Sequence, residues 1–307
     1  LPFSPTGAQR RAVKEAMRDM MSGRQMNRLL QGDVGSGKTA IAAALVYSAA
    51  KNSMQSALMA PTEVLAEQHY KTFLKLFDGC SINVELLTGS DTAAQKRRKK
   101  EALKAGEIDL LIGTHAIIQS DVEFKSLALV ITDEQHRFGV EQRNALGEKG
   151  KNPHLYVMSA TPIPRTLALI IYGELDISIL DELPPGRQKV DTFAVGESYR
   201  ARLNNFIRKL VGEGRQVFVV CPMVEENDEL PVKLKSAEEH AKELAAAFPD
   251  LRVGCVHGRM KAKDKDRIMA DFAAGELDIL VSTTVIEVGV DVPNAALMIV
   301  ENAERFG

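Results

Sequence analysis

Residues 29–46, LLQGDVGSGKTAIAAALV, form the stretch on which the fold of this chain depends. An apolar strand end runs into a glycine-rich turn, and an alanine-rich helix over 38–50 follows. The phosphate-loop spacing G-x-x-x-x-G-K-[ST] is matched by Gly32, Gly37, Lys38 and Thr39. Glycine tolerates the positive φ that lets a backbone curl around a polyphosphate, and N–H groups at a helix start face the anion. A turn that binds nothing is the alternative, but the Lys-Thr pair between strand and helix predicts a nucleotide site.

Two side chains of this loop have predicted chemical roles. Lys38 can reach the β- and γ-phosphates of a nucleotide, and the Thr39 hydroxyl can hold Mg²⁺. The predicted nucleotide-binding residues of the loop are Gly32, Asp33, Val34, Gly35, Ser36, Gly37, Lys38 and Thr39. What the nucleotide drives must be inferred from the rest of the chain.

The composition is that of a globular protein with two cores. The chain has 307 residues, of which 45% are hydrophobic and 26% charged, and domains typically span ~100–200 residues. A formal net charge of -2 indicates no global basic field, although it permits a local basic groove. The sequence has no apolar run of the ~18 residues that a membrane span needs and no signal-peptide pattern, so a cytoplasmic location without membrane contact is expected. Buried thiols are predicted at Cys80, Cys221 and Cys255.

Strands and helices alternate along the first half of the chain, which predicts a parallel α/β sheet with right-handed crossovers. Polar loops follow its strands, with the sequences GSGKT, APTE, GTH, DEQH and SATP. Ligands bind at the carboxyl edge of such a sheet, so the five loops predict a functional edge. Before the sheet, a helix is predicted over Gln9–Met21, with a core face at Val13, Met17, Met20 and Met21.

Two features of the first half have alternative interpretations. Gln9 is a candidate for contacting the base of the nucleotide, or a solvated residue at a helix start. The basic run Lys96–Lys100, on a helix predicted over 92–105, could meet nucleic acid or could form a solvated helix face. Taken alone, each residue pattern favours the solvated interpretation.

The segment DELPPGR at 181–187 predicts a linker between two domains. Strands and helices alternate again beyond it, beginning with a strand predicted over Val190–Val195. This second half contains no phosphate loop of its own. We therefore expect two domains of similar fold, at 1–184 and 188–307, with a nucleotide held in a cleft between them.

Asp133 and Glu134 follow an uncharged, mostly aliphatic strand at 127–132. A carboxylate at this position suits a direct or water-mediated contact to Mg²⁺ opposite Thr39, and Mg²⁺ takes only one or two protein carboxylates. Glu134 is then placed to orient or deprotonate the water that attacks the γ-phosphate. A solvated pair of acids at a strand end is the alternative. The presence of the γ-phosphate could be sensed by Gln135 and His136.

These segments, in this order, resemble the motifs of superfamily 2 helicases. They are GDVGSGKT (32–39), APTEVLAEQH (60–69), GTHAI (113–117), DEQHRFG (133–139), SATPIPRT (159–166), HGRM (257–260) and STTVIEVGVDVP (282–293). DEQHRFG, SATPIPRTLA, DELPPGR, VHGRM and ENAERFG further resemble the RecG family of ATP-dependent DNA helicases, which remodel stalled forks and branched DNA. Transcription-repair coupling translocases are also similar, but they usually carry a second acid where Gln135 lies and lack DELPPGR.

The resemblance implies two RecA-like lobes and more site residues than the spacing shows. Adenine would contact Gln9, Thr6 and Phe3, and across the cleft the nucleotide would meet Gly289 and Asp291. The DNA backbone would contact Pro61, Thr62, Glu63, Thr114 and His115 in the first lobe, and Ser282, Thr283 and Thr284 in the second. Hydrolysis would be coupled to DNA through Gln135, His136, Ser159, Thr161 and Arg165. Hydroxyl and N–H groups suit sequence-independent contacts, while capping or turn roles are the alternative for Thr62, Ser282 and Thr283.

The expected activity is ATP-driven movement on duplex DNA that remodels stalled forks and Holliday junctions. Lys38, Asp133 and Glu134 would be catalytic, and Mg²⁺ would be held by Thr39 and Asp133. The partners that the resemblance implies are ATP, branched or forked DNA and, for the full-length parent, single-stranded DNA-binding protein. A monomer is expected.

The sequence departs from the RecG pattern in two respects. It contains neither the family's G-R-x-G-R motif nor its N-terminal wedge domain, so we expect a piece of a longer protein. A nucleotide-binding module without activity of its own is therefore an alternative function. An RNA helicase of the DEAD type is another, which DEQH and TPIPRT argue against.

Overall fold

The computed structural model describes residues 4–133, 149–160, 175–182, 190–222, 237–283, 292 and 294–305. The chain divides into two compact units, Leu1–Lys189 and Val190–Gly307. The helices are α1 (Gly7–Met20), α2 (Lys38–Lys51), α3 (Glu63–Leu76), α4 (Ala93–Ala105), α5 (Arg200–Gly212), α6 (Ala237–Ala247) and α7 (Ala262–Ala273). The strands are β1 (Asn27–Gly32), β2 (Gln55–Met59), β3 (Val84–Leu87), β4 (Leu110–Gly113), β5 (Leu127–Asp133), β6 (His154–Ser159), β7 (Asp176–Leu180), β8 (Gln216–Cys221), β9 (Val253–Val256), β10 (Ile279–Thr283) and β11 (Ala295–Val300).

The first unit is organised around one parallel sheet. Its described strands number seven and lie in the order β3-β4-β2-β5-β6-β1-β7. Strands β2 and β4 are buried along their whole length, as expected of parallel strands whose two faces are both covered. The predicted α/β class is confirmed. Since β6 lies between β5 and β1 and all three strands are parallel, their carboxyl ends lie side by side at one edge of the sheet.

The first helix begins with a capping box. The Thr6 hydroxyl accepts the N–H of Gln9 at 3.2 Å, and Gln9 Oε1 accepts the N–H of Thr6 at 3.0 Å. The buried residues of α1 are Ala8, Gln9, Ala12 and Ala16. The predicted core face was wrong, because Met21 is 77% exposed and the other three predicted residues are only partly buried. Small side chains, rather than methionines, therefore bring α1 close to its neighbours.

A buried arginine fixes α1 to the sheet. Arg28 on β1 is 7% exposed, and its Nε donates to Asp19 Oδ2 at 2.6 Å while Nη1 donates to Ser178 Oγ at 2.9 Å. A buried charge is tolerated only when it is paired and hydrogen-bonded. These contacts tie the end of α1 to β1 and β7, and so help to set where the start of α1 meets the loop after β1.

A neutral histidine supports the neighbouring pair β1 and β6. His154 Nδ1 accepts the N–H of Met26 at 2.9 Å, and burial lowers the pKa of His154 from its ordinary value of 6.5, against a smaller opposing effect of Asp19. Below pH 6.5 the unfolded chain therefore binds this proton more readily than the folded chain does. Above pH 6.5 the protonation of His154 does not change the free energy of unfolding. As the pH falls through that value, the free energy of unfolding decreases.

We expect the free energy of unfolding in urea to fall less between pH 7.5 and pH 5 when His154 is replaced by asparagine. Asparagine Oδ1 can accept the same N–H without titrating. Because other groups also titrate, the measured quantity is the difference between the pH profiles of wild type and His154→Asn. Parallel profiles would contradict the assignment.

The second unit repeats part of the first. Its described strands form a four-stranded parallel sheet in the order β11-β8-β10-β9, which matches β5-β2-β4-β3. The segments AGEIDLLIGT (105–114) and AGELDILVST (274–283) occupy equivalent places in the two sheets. Both β2–β5 and β11–β8 carry a register shift at the start of the ladder. The two units are therefore copies of one design, as the expectation of similar folds requires.

Both copies also use a buried glutamine at the start of the central strand. Gln55 Nε2 donates to the carbonyl groups of Leu103 at 2.9 Å and Ile108 at 2.8 Å. Gln216 makes the corresponding pair of bonds in the second unit, at 2.6 and 2.7 Å. Each side-chain amide bridges the two ends of the turn between a helix and the next strand. Its hydrogen bonds also satisfy carbonyl groups that would otherwise be buried without a partner. These shared bonds allow the two units to be compared residue by residue.

Two further sequence predictions were wrong. Residues 190–195 form no strand, and Val190 and Phe193 are 78% and 79% exposed. Apolar side chains at these positions suggested a strand, but a strand also needs a neighbour to bond with, and the local sequence does not supply one. The prediction of a buried thiol is wrong for Cys80, which is exposed in the turn between α3 and β3. Cys221 is buried as predicted, and burial raises the pKa of its thiol to about 12.

Other predictions fall outside what the structure describes. The described residues exclude 183–189, which include most of the linker predicted at 181–187, so the domain boundaries at 184 and 188 stay predictions. Each helix within the described ranges is too short or too polar to cross a bilayer.

Candidate nucleotide site

The loop between β1 and α2 has the geometry of an anion cradle. Gly35 and Gly37 adopt φ of +77° and +88°, and the N–H of Ser36 bonds the carbonyl of Asp33 at 3.0 Å in a tight turn. Gly37 is the N-cap of α2 and provides no side-chain cap. The start of α2 therefore has no side-chain cap, and the helix dipole at this end favours an anion.

Close packing explains the glycines at both ends of the loop. A Cβ on Gly32 would lie 2.7 Å from Ser36 Oγ and 2.8 Å from Leu180 Cβ. A Cβ on Gly37 would lie 2.3 Å from Gln9 Nε2, at a φ that side chains rarely adopt. The side chains of Ser36 and Leu180 at Gly32, and that of Gln9 at Gly37, would have to shift to admit a Cβ.

We expect Gly37→Ala to weaken ATP binding about tenfold, because the left-handed conformation alone costs a residue with a Cβ about 1–2 kcal/mol and Gln9 must also move. Gly23→Ala is the matched control. Gly23 has a similar φ of +75°, and nothing lies within 4 Å of the position that a Cβ would take there. Isothermal titration with ATP should show the loss in Gly37→Ala alone, and equal affinities in both variants would refute the packing argument.

The lysine of the loop folds back over it. Lys38 Nζ donates to the carbonyl oxygens of Gly32 at 2.7 Å and Asp33 at 3.0 Å. These contacts hold an ammonium group above the turn from which the loop N–H groups project. A phosphate adds an opposite charge that a neutral carbonyl lacks, so a phosphate would compete well for this ammonium.

Gln9 connects α1 to the loop. Its Nε2 donates to the carbonyl of Ser36 at 2.8 Å, while its Oε1 belongs to the capping box, and the residue is 3% exposed. Beside it, a cavity of about 250 Å³ lies between α1 and α2, lined by Pro5, Gln9, Arg10, Val13, Lys14, Ala40, Ile41 and Ala44. Gln9 is thus a structural support of the loop, and its predicted contact with a base stays a prediction.

The carboxylate predicted opposite Thr39 ends β5, at the same sheet edge as the loop. Asp133 is largely buried, and its Oδ2 lies 2.6 Å from His69 Nε2 on α3. The sequence motifs did not single out His69. Its signal was present, because a histidine occupies the apolar stripe of α3 in APTEVLAEQH.

The predicted DNA-contact residues of the first unit come together. They follow β2 and β4, which are paired neighbours, and the N–H of Ala60 bonds the carbonyl of Gly113 at 2.9 Å. His115 is exposed and Thr114 partly so. Thr62 caps α3 by accepting the N–H of Leu65 at 3.4 Å. The starts of these two loops therefore lie side by side.

Glu63, predicted among these contacts, has a structural task as well. Its Oε1 accepts the N–H groups of Gly89 at 2.7 Å and Ser90 at 3.3 Å. The carboxylate therefore fixes the loop after β3 beside the loops after β2 and β4. A carboxylate repels phosphate, so its support of this loop is the role that its contacts indicate.

The basic run of α4 is largely engaged within the first unit. Its partners are the carbonyl of Gly89 for Lys96, Glu101 for Arg97, Asp91 for Lys99 and Asp121 for Lys100. These contacts favour a helix face over a nucleic-acid groove.

The remaining predicted residues are buried or lie outside the described ranges. Ser282 and Thr283 end β10 and are 0% and 7% exposed, and their hydroxyls have no hydrogen-bond partner among the described residues. Ser159 ends β6 and is buried. The predicted residues outside the described ranges are Phe3, Glu134, Gln135, His136, Thr161, Arg165, Thr284, Gly289 and Asp291.

In the second unit a glutamate takes the place of Asp133. Asp133 follows Thr132, the last residue of β5 paired with β2, and Glu301 follows Val300, the last residue of β11 paired with β8. Arg200 precedes Gln216 by the same number of residues as Thr39 precedes Gln55, so Arg200 is the equivalent of Thr39 in the second unit.

Arg200 and Glu301, the equivalents of Thr39 and Asp133, form an ion pair with each other. Arg200 Nη1 donates to Glu301 Oε1 at 2.6 Å and Nη2 donates to Oε2 at 2.9 Å. Glu301, with a smaller contribution from Glu197, raises the pKa of the Arg200 guanidinium above its usual range. The second copy thus has an arginine–glutamate pair where the first has a hydroxyl and a carboxylate.

Comparisons with known protein families agree with this geometry. The model of the DEAD/DEAH box helicase family matches residues 6–170, and that of the helicase conserved C-terminal domain matches residues 200–305. The chain therefore belongs to the DEAD/DEAH box helicase family.

Within that class, the chain is similar to proteins named ATP-dependent DNA helicase RecG. It is 50% identical to that of Bacillus subtilis and 51% identical to that of Thermotoga maritima, covering 100% of this chain and 45% and 39% of those proteins. A solved structure of RecG bound to a three-way DNA junction aligns with a TM-score of 0.86 and 47% identity, covering 100% of this chain and 40% of that one. The resemblance to RecG is confirmed.

The chain spans less than half the length of the RecG proteins that it matches. A structure of Saccharomyces cerevisiae Dbp5 bound to RNA and ADP BeF3 aligns with a TM-score of 0.64 at 18% identity, covering 96% of this chain and 74% of that one. Such distant similarity shows the shared fold alone, and it does not favour the RNA-helicase alternative.

Proposed function

We propose that this chain hydrolyses ATP and is the motor of a DNA helicase that acts on branched DNA. The observation that carries the proposal is the phosphate loop, with Lys38 folded over it at the same sheet edge as Asp133. The support for DNA is the 50% identity to proteins named ATP-dependent DNA helicase RecG.

The loop suits a nucleoside triphosphate. The uncapped start of α2 offers N–H groups, and the ammonium of Lys38 exchanges two neutral carbonyl acceptors for charged phosphate oxygens. The cavity beside Gln9 is lined mainly by aliphatic carbons of α1 and α2, which suits the face of a base. Adenine is the base that we propose.

The residues at this edge also fit Mg²⁺. We propose that Thr39 Oγ1 and Asp133 hold it, directly or through water. Mg²⁺ takes only one or two protein carboxylates and completes its shell with phosphate oxygens and water, so one carboxylate and one hydroxyl suffice. When bound, Mg²⁺ supplies positive charge that offsets the charge of the phosphates.

Glu134 directly follows Asp133, and we propose that it accepts the proton of the attacking water. Gln135, His136, Ser159, Thr161 and Arg165 are proposed to link hydrolysis to DNA. We propose that DNA phosphates meet the adjacent loops after β2 and β4. Their Thr and backbone N–H groups suit contacts that do not depend on base sequence.

Further proposals rest on the resemblance to RecG alone. They are a cytoplasmic, monomeric protein, contacts of the second unit with DNA through Ser282, Thr283 and Thr284, nucleotide contacts through Gly289 and Asp291, and single-stranded DNA-binding protein as a partner of the full-length parent. Lobe boundaries at 1–184 and 188–307 are likewise proposed.

The test is steady-state ATP turnover by the 307-residue chain. Turnover is measured without DNA and with plain duplex, a fork, a four-way junction and duplex RNA at equal nucleotide concentration. The proposal expects stimulation by fork and junction above that by duplex, and little stimulation by RNA. ATP binding without any DNA response would instead support the isolated nucleotide-binding module, and equal stimulation by RNA would overturn DNA specificity.

A further inference from the structure

A histidine lies in the apolar stripe of α3. The buried residues of this helix are Leu65, Ala66, His69 and Phe73, and their spacing is that of a helix face turned to the core. His69 is 8% exposed and is the polar member of the stripe. A buried polar side chain needs a partner, so the identity of that partner decides what His69 does.

The partner is the carboxylate of the candidate nucleotide site. His69 Nε2 lies 2.6 Å from Asp133 Oδ2, and the two side chains are 10% and 13% exposed. The contact joins α3, which follows β2, to the end of β5, and these two strands are paired neighbours. An ionised carboxylate has no proton to give, so Nε2 must donate. A short hydrogen bond between two nearly buried groups restricts how the carboxylate can rotate.

We infer that His69 is a positioning residue for Asp133, holding Oδ2 so that the other oxygen is presented to the Mg²⁺ that accompanies ATP. The inference rests on the proposed function. A carboxylate has lone pairs for about four hydrogen bonds or ligands, so the contact with His69 leaves Oδ1 for the metal or for a water bound to it. Residues that orient metal ligands in this way typically alter metal affinity 10–100-fold when they are removed.

The alternative is a core histidine whose hydrogen bond merely satisfies a buried group. The two interpretations differ in what they predict for the metal. A purely structural histidine would lower stability when replaced, and would leave the response to Mg²⁺ intact in protein that stays folded. A positioning residue would change the Mg²⁺ response and leave nucleotide affinity without metal unchanged.

The experiment titrates Mg²⁺ into the 307-residue chain saturated with a fluorescent ADP analogue, and measures the half-saturating Mg²⁺ concentration. We expect His69→Leu to raise this concentration about 10-fold or more, while metal-free affinity for the analogue stays at the wild-type value. His69→Gln, whose amide N–H reaches about as far as Nε2, should retain the wild-type response. His69→Asn, with a shorter side chain, should lose it, and provides the same test if His69→Leu does not fold.

A double variant distinguishes positioning from packing. In an Asp133→Asn background, the His69→Leu change should have no further effect on the Mg²⁺ response, because it acts through the missing carboxylate. Phe73→Leu is the control for the same helix face, and should alter stability alone. The inference is overturned if Asp133→Asn impairs the Mg²⁺ response but His69→Leu and His69→Asn do not. If wild type shows no Mg²⁺ response, or Asp133→Asn does not change it, the proposed metal site itself has failed.

Discussion

Lys38→Ala is expected to weaken ATP binding about 100-fold or more and to abolish measurable turnover. A hydrogen bond to a charged group contributes about 1.5–3 kcal/mol, and every 1.4 kcal/mol is about tenfold in affinity. Lys38 makes two hydrogen bonds within its own loop, to Gly32 and Asp33, so its ammonium is already held where the proposed phosphates would replace these acceptors. The measurement is equilibrium binding of ATP by calorimetry, followed by steady-state turnover.

The matched control is Lys51→Ala, at the other end of the same helix. Lys51 lies over the ring of Tyr47, far along α2 from the loop. Its removal should leave ATP affinity within about twofold of wild type, since exposed cation–π contacts contribute only about 0.5–1 kcal/mol, and to stability rather than binding. If Lys38→Ala binds ATP as tightly as Lys51→Ala does, the loop is a turn without a ligand.

Glu134→Gln is expected to lower turnover about 10²–10⁴-fold, the usual contribution of a general base, and to leave ATP binding close to wild type. Glutamine keeps the size of the side chain and removes its ability to accept a proton. Measuring binding and turnover on the same preparation separates the two steps. Glu101→Gln, on the exposed face of α4, controls for the loss of one negative charge. Turnover that survives in Glu134→Gln would show that another group activates the water.

Local features of the fold were predictable from sequence because their causes are local. The phosphate loop depends on residues within one turn of each other, and the glycines at 35 and 37 do adopt the positive φ that their spacing requires. The helices predicted over 9–21, 38–50 and 92–105 and the strand predicted over 127–132 lie within about two residues of the observed bounds, because an apolar period reports burial directly.

Features that depend on distant residues were missed. The bond between His69 and Asp133 joins residues 64 positions apart, and a histidine in an apolar stripe gives no local sign of its partner. Residues 190–195 include apolar side chains but form no strand. Whether a neighbouring strand is available to pair with them depends on the tertiary structure. Glu63 was predicted from a motif, while its bonds to Gly89 and Ser90 depend on how the loops meet.

One missed feature was readable in advance. The segments at 105–114 and 274–283 share AGE, an aspartate and the same aliphatic pattern. Comparing the chain with itself would have shown the internal repeat, and with it the equivalence of Gln55 and Gln216.

The arginine–glutamate pair of the second unit has a consequence for how the two copies respond to their surroundings. A ligand that binds the folded state raises the free energy of unfolding roughly with the logarithm of the ligand concentration. The stability of a domain whose carboxylate binds a dissolved cation would therefore depend on the concentration of that cation. Arg200 replaces such a diffusible counter-ion with a tethered one, whose effective concentration is set by the chain itself. Glu301 thereby has its counter-ion within the chain, whereas the metal site proposed at Asp133 would take its cation from the solution.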